Sequence, residues 1–318
     1  MYYLRNTKNF ITKLLNLSAK KVLRLLPNNG VVTLVDIGAA GEIEPRWKSF
    51  AGTLNYIGFE PDERSRNVIK NQPTDFLDYQ ILPYALGEAK ETLVFNLCKI
   101  PQVSSFYEPN AKFLSRFPDA GRFEIVKKLN LQCVTLDSMK LRKIDFIKID
   151  VQGAESKILK GAENSLKLAF GVELEVEFAE LYSNQQLFGD VCTQLNSKGF
   201  EFIDFVNLTR WERGSHNGNG QCVFGDALFL KSPEFLNLQE LCVNQIASYI
   251  SILLIYRKFD LIEIALASLD EEKRLRFRLF EQALKGIKKR NVVIRMIVRI
   301  LNTFISSLGS GYRLHLIQ

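Results

Sequence analysis

Histidine is nearly absent from this chain, cysteine is scattered, and no long uncharged apolar run occurs. There are two histidines and five cysteines in 318 residues, and Cys98, Cys133, Cys192, Cys222 and Cys242 share no short spacing. A structural zinc site draws on closely spaced Cys and His ligands, so nothing here supports zinc. An odd, dispersed set of thiols fits a reducing compartment, with most of them serving as small core hydrophobes. No stretch approaches 18 uncharged apolar residues, and "IASYISILLIY" (Ile246–Tyr256) is too short to span a bilayer. The N-terminus has a basic flank but neither a compact apolar segment nor a small-residue cleavage site, so a cytoplasmic location is expected. The G-x-G-x-x-G fingerprint is missing, which removes the demand for a bound pyrophosphate. No internal repeat or low-complexity tract interrupts the chain.

What is present is charge, unevenly placed. The net charge is +7 and the isoelectric point about 9.0. Residues 1–30 carry six Lys or Arg and no acid, and residues 281–318 carry seven against Glu281. Each end therefore holds +6, leaving residues 31–280 at about −5. A mildly acidic middle argues against a basic groove for nucleic acid and for contacts made by the ends.

Residues 9–26 show apolar positions at helical spacing with Lys and Arg opposite, and Pro27-Asn28-Asn29-Gly30 ends that helix. Strands are then predicted over 32–37, 56–60, 79–85, 145–150, 172–178, 200–206 and 223–230. Helices are predicted between several of them, including 156–169 and 185–197. Alternating strands and helices imply a mostly parallel α/β sheet. The last two strands are joined by "NLTRWERGSHNGNGQ" alone, too short for a parallel crossover, so the last strand is expected to be antiparallel. Residues 91–139 read as irregular with β-prone pieces "TLVFNL" and "LQCVTL", and the chain after Pro233 reads as purely helical.

Two glycines, Gly38 and Gly41, follow the first strand in "VDIGAAGE", where ligands bind in open α/β sheets and where a side chain would obstruct. Glu60 ends the second strand in "GFEPD", the position of an acid that holds ribose hydroxyls; its other role would be an acid at a helix N-terminus, which Asp62 and Glu63 fill better. Lys148 and Asp150 lie two apart near the end of a strand that should be buried. They can pair with each other, or divide between cofactor and acceptor.

In chain order, "DIGAAGE", "GFEPD", "YALGE", "VTLDS" and "IDFIKIDVQGAE", then "ELEVEFAELY" and "GDALFL", resemble the FkbM family of S-adenosylmethionine-dependent methyltransferases. The likeness covers about residues 31–231. It implies three parts: an N-terminal basic amphipathic helix (1–30), a methyltransferase domain (31–231) and a helical C-terminal module (232–318). The implied fold is a class I methyltransferase (Rossmann-like) doubly wound sheet whose last strand is antiparallel. On the matching positions, Asp36, Gly38 and Gly41 would shape the pocket for the methionine part of S-adenosyl-L-methionine, and Glu60 would hold its ribose. Asp137 falls in the "TLD" motif with no cofactor contact assigned. Ala40 stands where the family often has Asn. Such enzymes methylate hydroxyl oxygens of sugars or natural-product scaffolds, so a small-molecule or glycan acceptor is implied.

An alcohol acceptor must lose a proton, which a positioned base assists by ~10²–10⁴-fold. Candidates are Asp150, Glu175, Glu177 and His216. Glu173, Glu175 and Glu177 alternate and share one strand face, where three unpaired buried acids are not tolerated. Asp150 with Glu175 or Asp226 could offer oxygen ligands to a divalent cation. Glu155 reads as a helix N-terminal acid. In the loop 208–221, Trp211 offers a flat face to the acceptor and Arg210, Glu212 and Arg213 offer hydrogen bonds. Finally, "NVVIRMIVRILNTFISSL" (291–308) puts Arg295 and Arg299 on one face of an apolar helix, which suits either an anionic membrane surface or packing against protein. The competing readings are a non-catalytic membrane-associated binding protein on the same fold, a nicotinamide-dependent oxidoreductase and a nucleic-acid methyltransferase.

Overall fold

The computed structural model describes residues 20–41, 43–70, 75–214 and 218–286. Most of the N-terminal helix, His216 and the basic stretch 291–308 lie outside the described residues. The chain divides into two compact units: residues 32–43 with 51–236, and the described parts of 1–31, 44–50 and 237–318.

The first unit is built on ten strands: β1 (Val32–Ile37), β2 (Leu54–Phe59), β3 (Asp78–Leu82), β4 (Ala85–Leu86), β5 (Glu91–Cys98), β6 (Ile125–Val134), β7 (Phe146–Ile149), β8 (Gly171–Glu177), β9 (Glu201–Trp211) and β10 (Gln221–Leu230). Seven form the main sheet in the order β3-β2-β1-β7-β8-β10-β9. The ladders from β3 to β8 are parallel, and β10 runs antiparallel to both β8 and β9. This is the class I methyltransferase sheet with its reversed last strand. A smaller sheet, β4-β6-β5, rises from the section that reads as irregular in sequence.

Side-chain alternation gives the main sheet two different faces. Val35, Ile37, Ile147, Ile149, Val172 and Leu174 point to one side and pack with Ile158, Leu159, Leu166, Val191 and Leu195 from the covering helices. Each such burial stabilises the fold by about 1.5–3 kcal/mol relative to exposure. The intervening residues point the other way, and the register sets Asp36, Lys148 and Glu173 side by side across β1, β7 and β8. Glu173, Glu175 and Glu177 are all buried, and Gln152 donates to Glu175 at 3.0 Å.

Three sequence-based boundaries shift, each for a physical reason. The strand expected over 79–85 stops at Leu82, because Pro83 has no N–H to continue the ladder; Ala85–Leu86 then pairs with β6. The single helix expected over 156–169 is two, Glu155–Lys160 and Glu163–Leu168. Gly161 breaks it: a Cβ there would lie 2.1 Å from the Gly87 carbonyl oxygen, and Asp137 N donates to Gly161 O at 3.1 Å. The strand expected over 200–206 runs on to Trp211, so Arg210 and Trp211 belong to β9 rather than to the loop.

In the second unit, the run "IASYISILLIY" falls mainly in a 13-residue helix, Val243–Ile255, whose residues from Ile246 to Ile255 are all buried. Gly30 approaches it so closely that a Cβ would lie 2.2 Å from Ser251 Oγ, and Ser248 Oγ donates to Val31 O at 2.7 Å. The excursion 44–50 brings Trp47 edge-on to Tyr256, with ring centroids 5.8 Å apart, and Arg46 over the same tyrosine at 5.5 Å. Among the described residues no helix is long and apolar enough to cross a membrane.

Candidate active site

The carboxyl ends of β1, β2 and β7 open onto a cleft of about 920 Å³. The turn after β1 makes it possible. Gly38 has φ 79°, and a Cβ on it would lie 1.9 Å from the Asp150 carbonyl oxygen. Only glycine fits both constraints. Its N–H and that of Ala39 donate to Phe59 O at 3.0 and 3.1 Å, while Asp150 N donates to Ile37 O at 2.9 Å. The three strand ends are thus tied together at the floor of the cleft.

Gly38, Ala40, Glu60 and Asp150 line this space. Glu60 accepts a hydrogen bond from Asp62 N at 2.7 Å. Burial raises its carboxyl to about 7, against the lowering effect of that N–H and of Arg66. Asp62 serves the following helix instead, accepting from Arg64 N at 2.9 Å. Asp36 does not reach the cleft. It lies beneath, where Tyr56 donates its hydroxyl to Oδ2 at 2.7 Å and Lys148 Nζ stands 3.7 Å from Oδ1. Burial, then Asp36, pushes the Tyr56 hydroxyl well above its ordinary range, so it remains a donor. Lys148 Nζ is also 3.7 Å from Asp150 Oδ2. The two charges near the end of β7 are therefore held as one chain, Asp36–Lys148–Asp150, with only the last member in the cleft.

Gln152 carries the other side of Asp150 and escaped the sequence reading. Its Nε2 donates to Asp150 Oδ1 and to Glu175 Oε1, both at 3.0 Å. Tyr182 donates to its Oε1 at 3.1 Å, and Ser105 Oγ donates to its carbonyl at 2.6 Å. The backbone is left-handed at Gln152, φ 57°, and at Gly153, φ 97°. A non-glycine residue held there is costly, by about 1–3 kcal/mol, and such residues gather at functional sites. The signal lies inside "IDVQGAE", where Gln152 precedes Gly153.

Glu175 lies behind Gln152 and does not line the cleft. Burial, then Asp150 and Glu177, drives its carboxyl well above the ordinary range. Glu155 begins its helix and accepts from Val151 N at 2.9 Å, the N-terminal role read from sequence. Gly41, φ 96°, has nothing within 4 Å of a notional Cβ and shapes the turn rather than the cleft. Asp137 accepts from Asn164 N, Ser165 N and Ser165 Oγ at 2.9, 2.8 and 2.7 Å, anchoring the helix Glu163–Leu168. The far wall of the cleft comes from the smaller sheet and its connections, through Tyr84, Phe95 and Phe106. Trp211 lines a second cavity instead. Among the described residues no three His, Cys, Asp or Glu side chains are placed to hold a metal ion.

A family model described as the methyltransferase FkbM domain matches residues 36–202. No curated protein matches the chain. Among solved structures, the FkbM methyltransferase of Methylobacillus flagellatus KT is similar at 16% identity and a TM-score of 0.37, over 63% of this chain and 44% of that one. The aligned part thus spans less than half of that protein's length. A magnesium protoporphyrin IX methyltransferase from Synechocystis PCC 6803, solved with S-adenosylmethionine bound, is similar at 9% identity and a TM-score of 0.34, over 71% of this chain and 80% of that one. An N-methyltransferase from Bradyrhizobium japonicum WM9 gives 9% identity and a TM-score of 0.30, over 67% and 93%. With the domain match running through β1, the cleft and β8 and taking in more than half of its residues, the chain belongs to the FkbM methyltransferase family.

Proposed function

We propose that the protein is an S-adenosyl-L-methionine-dependent O-methyltransferase acting on a hydroxyl of a sugar, glycan or natural-product scaffold. The observation that carries the reading is the pairing of Glu60 with the bare backbone of Gly38 in one cleft at the strand ends. The residues fit the cofactor: glycine at 38 lets the ends of β1 and β7 close against each other to form the cleft floor, and a carboxylate that can accept hydrogen bonds from two hydroxyls suits a ribose. Bound there, the cofactor would supply an electrophilic methyl group on a sulfonium.

The protein's own part is alignment and proton removal. Aligning two reactants can account for several kcal/mol of a barrier, roughly 7–11 at most. Asp150 is the base the arrangement supports. It faces the cleft, Lys148 keeps its charge compensated, and the Gln152 amide fixes its orientation. When the acceptor O–H bond breaks, its proton goes to the Asp150 carboxylate, which lines the cleft, whereas Glu175 lies behind Gln152.

Calorimetry with S-adenosylmethionine tests the reading. Wild-type protein should bind, and Glu60→Ala should bind at least tenfold more weakly, since hydrogen bonds to a charged group are each worth about 1.5–3 kcal/mol. Binding of NAD in its place, or equal affinity in the variant, overturns the assignment. Incubation of the protein and labelled cofactor with a glycan mixture, read by intact mass, then identifies the acceptor; label appearing on nitrogen rather than oxygen would refute O-methylation.

A further inference from the structure

A second cavity, of about 890 Å³, lies beside the aromatic cluster of Phe113, Phe117, Phe123 and Tyr182 and is separate in its lining from the cofactor cleft. Its walls combine the rings of Phe117, Phe123 and Trp211 with the guanidinium groups of Arg122 and Arg210 and the carboxylates of Asp119 and Glu212, so the charged lining is balanced and selectivity for an anion rests on the Arg122 guanidinium. The position of Arg122 is the informative feature. Its guanidinium carbon sits 4.6 Å from the Trp211 ring centroid and 5.1 Å from that of Phe123. Its Nε is buried and has no hydrogen-bond acceptor, and no carboxylate pairs with it among the described residues. The two rings are inclined 60° to each other, and a cation held over both is pre-organised while its buried Nε has no acceptor.

The surroundings bias what could satisfy it. The segments 111–124 and 210–213 carry Lys112, Arg116, Arg122, Arg210 and Arg213 against Asp119, Glu124 and Glu212, a net +2 within a middle region that is acidic overall. Guanidinium recognises planar or tetrahedral oxyanions through paired hydrogen bonds, and the rings offer apolar contact to the remainder of such a ligand. The cavity also adjoins the reaction cleft through one residue. The Tyr182 ring packs on Phe123 at 5.9 Å, and its hydroxyl donates to Gln152, which lines the cleft.

We propose that this cavity is a subsite for an anionic group, a carboxylate or phosphate, carried by the acceptor at a distance from the hydroxyl that is methylated. Arg122 is its specificity-determining residue. The acceptor part of this inference rests on the methyltransferase reading above; occupancy of the cavity by an anion does not.

The chain has two tryptophans, and Trp47 is fully buried in the other unit. Trp47→Phe therefore leaves Trp211 as the only indole emitter. Titration of that full-length variant with glucuronate, glucose phosphate and inorganic phosphate should give a saturable change in emission, weakened by salt. Methyl glucoside, which is neutral, should give none, and Arg122→Gln should weaken anion binding at least tenfold. Saturation by glucuronate but not by either phosphate, or the reverse, distinguishes the two sources. An equal response to methyl glucoside, or an undiminished response in Arg122→Gln, overturns the proposal. If Trp47→Phe fails to fold, fluorine resonances of 5-fluorotryptophan in otherwise wild-type protein, assigned with Trp211→Phe, give the same reading. Calorimetry with S-adenosylmethionine separates the two hypotheses. Arg122→Gln should leave cofactor affinity unchanged; cofactor binding without anion binding sinks this inference alone, and anion binding without cofactor binding sinks the functional assignment and the acceptor role while leaving the anion site standing.

Discussion

Glu60 titrates near neutrality because it is buried, and two opposite pH trends follow. On the proposed ribose role, the sugar hydroxyls would donate to the ionised carboxylate, so cofactor affinity should rise as pH climbs through about 7. Calorimetry at about pH 6 and pH 8 should show this increase in wild type, and Glu60→Gln should bind weakly at both. Stability runs the other way. The folded-state value lies above the unfolded one, so the folded chain holds the proton more tightly. That contribution is full below the unfolded value and is lost as pH rises through about 7. Glu60→Gln, neutral throughout, should therefore be more stable than wild type at about pH 8, by roughly 1–3 kcal/mol, with the gap closing toward pH 4. Urea unfolding across that range checks it. Gly38 is constrained by shape rather than charge. Gly38→Ala sets a methyl 1.9 Å from the carbonyl oxygen of Asp150, a residue whose N–H is tied to β1. A loss of at least about 3 kcal/mol is expected; a variant within 1 kcal/mol of wild type would mean that the turn can open at little cost.

Among the elements, β7 shows how a charged strand can be buried. Asp36 Oδ1 has no hydrogen bond, and its compensation is the ammonium of Lys148. Lys148→Met keeps the stem and removes the charge, so breaking this buried pair should cost about 3–5 kcal/mol. Adding Asp36→Asn should recover most of it in chemical denaturation, because the orphaned charge is then gone. Additive losses would show that Lys148 acts through packing alone. The same strand marks what could be read from the sequence. Aliphatic and aromatic residues over 32–37, 145–150 and 172–178 predict these strands, although Lys148, Asp150 and the glutamates interrupt the second and third. The short link between the last two gave the reversed direction. Gln152 was not legible, because its role depends on Tyr182, Ser105 and Glu175, which the fold brings from distant parts of the chain. The break at Gly161 and the move of Trp211 onto a strand were hidden for the same reason: each answers to a backbone or ring elsewhere. Ala40 shows the reverse case, a departure visible in sequence whose place in the cleft only the fold reveals.

At the scale of the whole molecule, charge is concentrated where the chain starts and stops. Each end carries +6 while residues 31–280 hold about −5. We propose a peripheral membrane contact through these ends, with the acceptor met at the cytoplasmic face. Full-length protein should co-sediment with vesicles containing anionic lipid at low salt and detach as salt is raised, since screening shortens electrostatic reach to about 8 Å at physiological strength. Absence of binding at low salt refutes the membrane contact. The excursion that carries Trp47 has a consequence in time. Trp47 belongs with Tyr256, although β2 through β10 are threaded between them in the chain. At ~5–20 residues per second, a ribosome needs roughly 10–40 s after making Trp47 to supply that tyrosine. A large indole is thus left without its ring partner throughout synthesis of the sheet. Ribosome-bound chains halted before residue 256 should recruit chaperones through this one side chain, and Trp47→Ser should reduce that recruitment.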